Sequence, residues 1–384
     1  MIFKGTKNPN KIDILSSSDT HMGHRRTPSL DTAEGYLSII NKPFFAKLDY
    51  FIIAGDFFDN LIKLSAGSIV TATEALIIAI LKKCAEHNVI LLIVEGTPLH
   101  DRGQNYLFQH HNELYGINAE MYYSKELDII HIEKHDHDIL FVPDEWTVDP
   151  IDTYHQTCAL MAKRGLTKVD MAVMHGAFEH QYPAHIDVPT HTRALYEEIV
   201  RYYIFIGHVH QFSYLGKVIA AGSTSRLKFG EEEPKGMVHV EIYGENPETN
   251  VVTFIENKLA KIYITLDTIG LDNSALVKLL AERIPQLPND SAVQLLCQKT
   301  DVAYFKLAAI QTEYPHVKFY TKQPKAVSEI TEVDPLTLAK RSQTVILNRG
   351  NIVRLLQERM VEKGYSPDKI QRAGELLSTA KDVV

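Results

Sequence analysis

The chain has 384 residues, of which 45% are hydrophobic and 23% are charged. The proportions are ordinary for globular proteins. The length exceeds that of two typical domains. The net charge of −8 argues mildly against broad, nonspecific binding to nucleic acid. Residues 1–10 are polar and no apolar run reaches about 18 residues, so we expect neither a secretory signal nor a membrane span. Three widely spaced cysteines fit buried thiols in a reducing compartment.

Five short motifs of acids and histidines each follow an apolar run of strand type. The runs are residues 12–15, 50–54, 89–94, 171–174 and 203–206. The motifs are Asp19-Thr20-His21, Gly55-Asp56 with Asp59, His100-Asp101, His175, and Gly207-His208-Val209-His210. Because open α/β sheets bind ligands at the carboxyl ends of their strands, we expect all five motifs to meet at one rim. Imidazole and carboxylate suit manganese, iron or zinc, and a bridging carboxylate can hold two ions about 3.5 to 4 Å apart. The sequence therefore predicts a two-metal hydrolase site.

A second, smaller α/β domain is predicted over residues 258–321. Alternating residues 262–266 indicate a strand, and Asp272 or Asn273 can cap a helix over 275–284. Residues 292–298 and 316–320 indicate two more strands, with a helix over 301–314 between them.

The last 60 residues change in character. Residues 322–335 are polar with two prolines, and a linker is predicted over 322–348. A helical pair is predicted over 349–384, where Gly364 stops the first helix and Ser366-Pro367 begins the second. Such a pair has little core of its own, so its apolar faces either pack on the same chain or bind a partner. The faces comprise Ile352, Leu355, Leu356 and Met360 in the first helix, and Ile370, Ala373, Leu376 and Leu377 in the second.

The ordered motifs within residues 11–245 resemble the calcineurin-like metallophosphoesterase superfamily. A stretch directly after the last motif is similar to the SbcD-type double-strand-break repair nucleases and their phage recombination-endonuclease relatives. This stretch contains Ala221-Gly222-Ser223, Arg226, Phe229, Glu231 to Glu233, and Lys235-Gly236 before an apolar strand.

The resemblance implies an α/β fold in which a metallophosphoesterase β-sandwich flanked by helices spans residues 1–257. Residues 258–321 would form a capping domain that positions DNA, and 349–384 would bind the coiled coil of an SbcC-type ABC ATPase. The resemblance implies that the chain is the metal-dependent DNA nuclease subunit of a DNA-processing complex. Two copies of it would form a homodimer within a heterotetramer. The implied location is the cytoplasm of a bacterial or phage-infected cell.

The resemblance also implies roles for individual residues. Two divalent ions, Mn²⁺ or alternatively Mg²⁺, would activate water for in-line attack on phosphorus. His100 would stabilise the transition state or protonate the leaving oxygen, Asp101 would orient His100, and Asp59 would shape the pocket. The implied ligands are Asp19, His21 and His210 for the first ion, His175 and His208 for the second, and Asp56 as the bridge between them.

One position departs from the family pattern. Leu99 stands where the family has an asparagine ligand of the second ion, and the loop is two residues longer. Thr97, Gln104 or Asn105 supplies the missing oxygen, or water does, or the second site is weak, or the centre is non-catalytic. We expect one ion to bind more weakly than the other.

Other functions and surfaces stay open at this level. The metal motifs fit a phosphatase or a small-molecule phosphodiesterase equally well, and a scaffold with weakened activity is a third possibility. Basic groups that flank the motifs are either a DNA-binding surface or solvated loop charges. These groups are Arg25, Arg26, Arg226 and Lys228.

Overall fold

The computed structural model describes residues 11–63, 65–183, 185–186, 188–324, 357, 360–361 and 366–380. Contacts within the chain divide it into two compact units, Met1–Pro324 and Lys325–Val384.

The first unit contains two mixed six-stranded sheets and one small parallel sheet. Its strands are β1 (Ile12–Ser17), β2 (Tyr50–Ala54), β3 (Ile90–Val94), β4 (Met121–Ser124), β5 (Asp128–Ile132), β6 (His137–Val142), β7 (Met171–His175), β8 (Ile204–Gly207), β9 (Ser213–Leu215), β10 (Val218–Ala220), β11 (Gly236–Ile242), β12 (Val251–Glu256), β13 (Tyr263–Asp267), β14 (Ala292–Leu296) and β15 (Lys318–Lys322). The sheet orders are β12-β11-β1-β2-β3-β4, β5-β6-β7-β8-β10-β9 and β13-β14-β15.

Helices cover the outer faces of the two large sheets. The α-helices of this unit are α1 (Ser29–Ile40), α2 (Gly67–His87), α3 (Tyr106–Leu114), α4 (Pro150–Lys163), α5 (Arg193–Ile199), α6 (Asn273–Arg283), α7 (Val302–Phe305) and α8 (Leu307–Glu313). Short 3₁₀ turns lie at Pro43–Lys47, Glu179–Gln181 and Pro247–Thr249.

The period-2 pattern of the strands explains the layers. In β2, Ile52 points into a core shared by both large sheets, where Val173 and Phe205 come from the opposite sheet. Its neighbour Phe51 points the other way, into a core formed with α1, α2 and α3. A third core joins α4 and α5 to the second sheet. The predicted α/β class, with two packed sheets flanked by helices, is confirmed.

The five predicted motif-bearing strands are all present. β1, β2 and β3 are parallel neighbours in the first sheet, and β7 and β8 are parallel neighbours in the second. Their carboxyl ends therefore present the motifs at corresponding edges of the two sheets.

The predicted strand–helix–strand–helix–strand order of the small α/β segment is confirmed. Its three strands are parallel, and Asp272 caps α6 by accepting the Ala275 N–H at 2.8 Å. One difference is that the helix expected over 301–314 is broken, because Lys306 leaves the helical region (φ −93°, ψ 4°) between α7 and α8. The last strand also begins at Lys318 rather than residue 316. Phe229 of the larger part packs its ring against Tyr263 and Tyr320 of the small sheet.

In the second unit, helix α9 spans Pro367–Ala380 and begins at the predicted Ser-Pro pair. Residues 325–348 of the predicted linker and most of the first predicted helix lie outside the described residues, while Lys322 belongs to β15. Among the helices that the structure describes, none combines the length and the apolar character needed to cross a membrane.

Candidate metal centre

The first predicted ligand set comes together from the ends of both large sheets. Asp19 and His21 follow β1 and His210 follows β8, and each offers a donor atom within 4.8 Å of the other two. Asp19 and His21 both adopt a positive φ, near 50°, which L-residues rarely do. The loop after β2 holds them there, because Gly55 accepts the Asp19 N–H at 3.1 Å and Asp56 accepts the His21 N–H at 3.0 Å.

The second predicted set is Asp56, His175 and His208, also with donor atoms within 4.8 Å of one another. Asp56 and His208 likewise have positive φ values, 50° and 101°. The His208 N–H donates to the carboxylate of Asp19 at 2.9 Å, so a hydrogen bond joins the two sets.

Asp56 lies between the two sets. Its Oδ2 is 3.3 Å from His175 Nε2 and 3.9 Å from His21 Nε2. A carboxylate in this position is the one that can contact ions in both sets.

Glycines allow the two sheets to approach this closely. A Cβ on Gly55, where φ is +75°, would lie 2.2 Å from His175 Nδ1. A Cβ on Gly207 would lie 2.1 Å from the Ala54 carbonyl oxygen. Any side chain at either position would push the strand ends apart.

Three of the histidine rings have an oxygen atom close to their Nδ1 atoms. His175 Nδ1 donates to the Ala54 carbonyl at 2.7 Å, which leaves Nε2 as the nitrogen toward Asp56. His210 Nδ1 is 3.1 Å from Glu231 Oε1, and His21 Nδ1 is 3.3 Å from Asp59 Oδ1. The sequence pattern did not assign Glu231 this role of orienting the His210 ring.

The electrostatics of the centre favour a positive charge. Burial lowers the pKa of His175, but the nearby Asp56 carboxylate outweighs it and the pKa lies well above its ordinary value. Burial raises the pKa of Asp56, yet His175 and His21 bring it below the ordinary range. The Nε2 atoms of His21 and His210 also face each other at 3.2 Å, which requires a proton or a cation between them. This donor set of carboxylates and imidazoles fits divalent transition metals.

His100 lies beside the first set. Its Nδ1 is 2.6 Å from the Asp59 carbonyl oxygen, and its ring meets that of His21 edge to face at 4.9 Å. The Asp59 carbonyl can only accept, so Nδ1 carries a hydrogen and Nε2 is the nitrogen free to exchange a proton.

Asp101 has a different role from the one predicted. Both its oxygens bind backbone, accepting the N–H groups of Asp56, Phe58 and Gly96 at 2.7 to 3.0 Å. The contact that orients His100 comes from Asp59 instead. Burial, together with the charge of Asp56, raises the pKa of Asp101 to about 7. Asp101 therefore positions the loop that carries Asp56.

The loop that lacks the asparagine places Thr97 at the centre. Leu99 is 71% exposed. The Thr97 N–H donates to Asp56 Oδ1 at 2.7 Å, and its hydroxyl lies near the second set. Of the other two proposed neighbours, Gln104 accepts the Ile62 N–H through its Oε1, and Asn105 donates through its Nδ2 to Asp101.

Asp144 is a site residue that sequence reasoning missed. Its Oδ2 is 3.0 Å from Thr97 Oγ1 and 3.6 Å from His208 Nδ1. The available signal was a carboxylate two residues after the buried strand β6, the same pattern that drew attention to the other motifs.

The expected basic flank is only partly exposed. Arg25, Arg26 and Lys228 are exposed. Arg226 is buried and donates to the carbonyls of Ala260, Lys261 and Glu232, so it is neither a DNA-facing group nor a solvated loop charge. Its guanidinium is already used to join the small sheet to the larger part.

Comparisons with known proteins identify no family. No family model and no curated protein matches the chain. Among solved structures, one similar chain is GAP50, the anchor in the inner membrane complex of Plasmodium, at 13% identity and a TM-score of 0.40, covering 66% of this chain and 86% of that one. Another solved chain has 11% identity and a TM-score of 0.36, and the match covers 65% of this chain and all of that one.

Proposed function

We propose that this chain is a metal-dependent phosphodiesterase with a two-ion centre of the calcineurin-like metallophosphoesterase kind. The observation that carries the proposal is that Asp56, the carboxylate of the second set, also lies 3.9 Å from His21 of the first set. Asp19, His21 and His210 would hold one ion, His175 and His208 the other, and Asp56 both.

Divalent ions in such a centre lower the pKa of water and neutralise charge on a transferring phosphate. The chain's own contribution is to fix the donors. The Ala54 carbonyl and the Glu231 carboxylate set the rings of His175 and His210, and Asp101 fixes the backbone of Asp56. Donors fixed in advance need no rearrangement when charge develops on the phosphate.

His100 would act on the leaving group. Because the Asp59 carbonyl holds Nδ1, the opposite nitrogen is available to donate a proton or a hydrogen bond to the leaving oxygen. Imidazole side chains serve as general acids and as hydrogen-bond donors in other enzymes.

We propose DNA as the substrate and an SbcCD-like end-processing complex as the setting. The support is the sequence likeness of residues 221–236, together with the exposed basic residues Arg25, Arg26 and Lys228. Within that stretch, Glu231 supports His210 directly and Lys235 donates to the His210 carbonyl at 2.8 Å. A phosphatase or small-molecule phosphodiesterase uses the same centre and is the second candidate.

The test is hydrolysis of matched substrates with Mn²⁺. Linear duplex DNA, single-stranded DNA, a small phosphodiester and a phosphomonoester are each incubated with the full chain, with and without EDTA. We expect Mn²⁺-dependent cleavage of DNA that EDTA abolishes. Turnover of the monoester without DNA cleavage would instead support the phosphatase, and bound metal with no turnover would support a scaffold.

The proposed partner is an ABC ATPase whose coiled coil binds the C-terminal helices. The support is the apolar spacing of Ile370, Ala373, Leu376 and Leu377 along α9, in a unit separate from the centre. A chain cut after Pro335 should bind Mn²⁺ like the parent but fail to co-purify with the ATPase. Undiminished ATPase binding would place the interface elsewhere.

A further inference from the structure

The Thr97 hydroxyl is surrounded by groups of the second ligand set. Its Oγ1 lies 3.1 Å from Asp56 Oδ2 and 3.5 Å from both His175 Nε2 and His208 Nδ1. It is also 3.0 Å from Asp144 Oδ2. A hydroxyl has one hydrogen, so it can donate to only one of the two carboxylates, and its lone pairs stay available.

The Asp144 carboxylate adds a negative charge beside the Thr97 hydroxyl. Its side chain is only 11% exposed, and its Oδ2 lies 3.6 Å from His208 Nδ1. Within the described part of the chain, no lysine or arginine forms an ion pair with it. A largely buried carboxylate that has no lysine or arginine partner is costly, and a bound cation at the second set would offset that cost.

We propose that Asp144 and Thr97 complete the second ion's donor set in this chain. The inference rests on the proposed two-ion centre and deepens it. Asp144 supplies an anionic oxygen and Thr97 a neutral one, on the side of the centre where Leu99 supplies none. The second site then has two carboxylates, Asp56 and Asp144, with two imidazoles. Both ions therefore bind with similar affinity, which reverses the expectation of a weak second site.

The experiment measures Mn²⁺ binding to the full chain. Calorimetry gives the affinities, and electron paramagnetic resonance detects coupled ion pairs. Asp144→Asn keeps the shape of the side chain and removes its charge. Glu145→Gln makes the same charge change at the exposed neighbouring residue and is the matched control. Thr97→Val removes the hydroxyl at nearly constant volume, whereas Thr97→Ser retains it.

We expect the parent to bind two Mn²⁺ ions with similar affinity. Asp144→Asn should weaken one of them at least about tenfold and reduce the coupled signal. Thr97→Val should weaken the same ion less, and Thr97→Ser and Glu145→Gln should behave as the parent. Thermal unfolding in EDTA checks that each variant is folded.

Three outcomes overturn different claims. If the parent binds two ions and Asp144→Asn binds both as tightly, Asp144 is not a ligand and the inference fails while the two-ion centre stands. If the parent binds no Mn²⁺, the proposed function fails and the inference fails with it. If Asp144→Asn retains both ions but Thr97→Val loses one, Thr97 alone fills the position and the joint assignment is wrong.

Discussion

The two ligand sets of the centre have the same types of donor residue, but different groups contact their imidazoles. In the first set, a carboxylate lies behind each imidazole, Asp59 at His21 and Glu231 at His210. In the second, His175 is held by a backbone carbonyl, and the Asp144 carboxylate lies beside His208 Nδ1. A carboxylate behind an imidazole increases its basicity, whereas one beside the donor atoms can itself bind. The same residue types can therefore support one ion indirectly and the other directly.

The largest expected effect is from Asp56→Ala, which removes the one carboxylate common to both sets. Loss of an indirect support costs about 10- to 100-fold in metal affinity, so we expect a direct ligand of both ions to cost more at each site. Calorimetry with Mn²⁺ should detect neither ion under conditions in which the parent binds two. Asp128→Ala, outside the centre, is the control. If calorimetry still detects two Mn²⁺ sites in Asp56→Ala, Asp56 does not bridge the two ions.

His100→Ser should separate chemistry from binding. His100 belongs to neither set but contacts His21, so its loss should reduce DNA cleavage about a hundredfold or more while Mn²⁺ occupancy stays unchanged. Cleavage rates and calorimetry on the same preparation test both parts, with His110→Ser as the exposed control. Equal activity in variant and parent would exclude the proposed role.

Glu231→Gln should affect only the first set. It weakens the support of His210 Nδ1, and we expect the first ion to bind about 10- to 100-fold more weakly. Crystals with Mn²⁺ and anomalous scattering would report the occupancy of each position separately. Glu248→Gln, at an exposed acid, is the control. Loss of the second ion rather than the first would mean that the two sets are not supported independently.

A smaller effect is expected from pH. In the metal-free centre the pKa values of His175 and His210 are raised, because Asp56 and Glu231 respectively stabilise their protonated forms against the opposing effect of burial. An ion must displace these protons, so Mn²⁺ affinity should rise with pH and continue to rise above about pH 6.5, the ordinary histidine value. Calorimetry in buffers of different ionisation enthalpy should show proton release. Constant affinity between about pH 6 and pH 8, without proton release, would contradict this.

The difference between the sets also separates what the sequence predicts from what it does not. The motif after β1 combines an acid with a histidine, the motif after β2 pairs two acids, and the motif after β8 pairs two histidines. These motifs can therefore be recognised from the local sequence. Asp144 has no histidine beside it in the chain, and it reaches the centre only because β6 pairs with β7 in parallel. Its relevance depends on a contact between distant segments.

Tertiary contacts also decide what Asp101 and Arg226 bind. Asp101 is adjacent to His100 in sequence, but its buried carboxylate binds the backbone of Asp56, Phe58 and Gly96. Arg226 is a charged loop residue whose burial depends on where the small sheet packs. The layers of the fold were predictable because strand periodicity is local, whereas the partners of these side chains are set by tertiary contacts.

We propose that one carboxylate, Asp56, joins two metal sites. This is tested by an anomalous-scattering map from crystals of the full chain grown with Mn²⁺. We expect two peaks about 3.5 to 4 Å apart, with Asp56 contacting both. A single peak, or two peaks that Asp56 does not join, would contradict it.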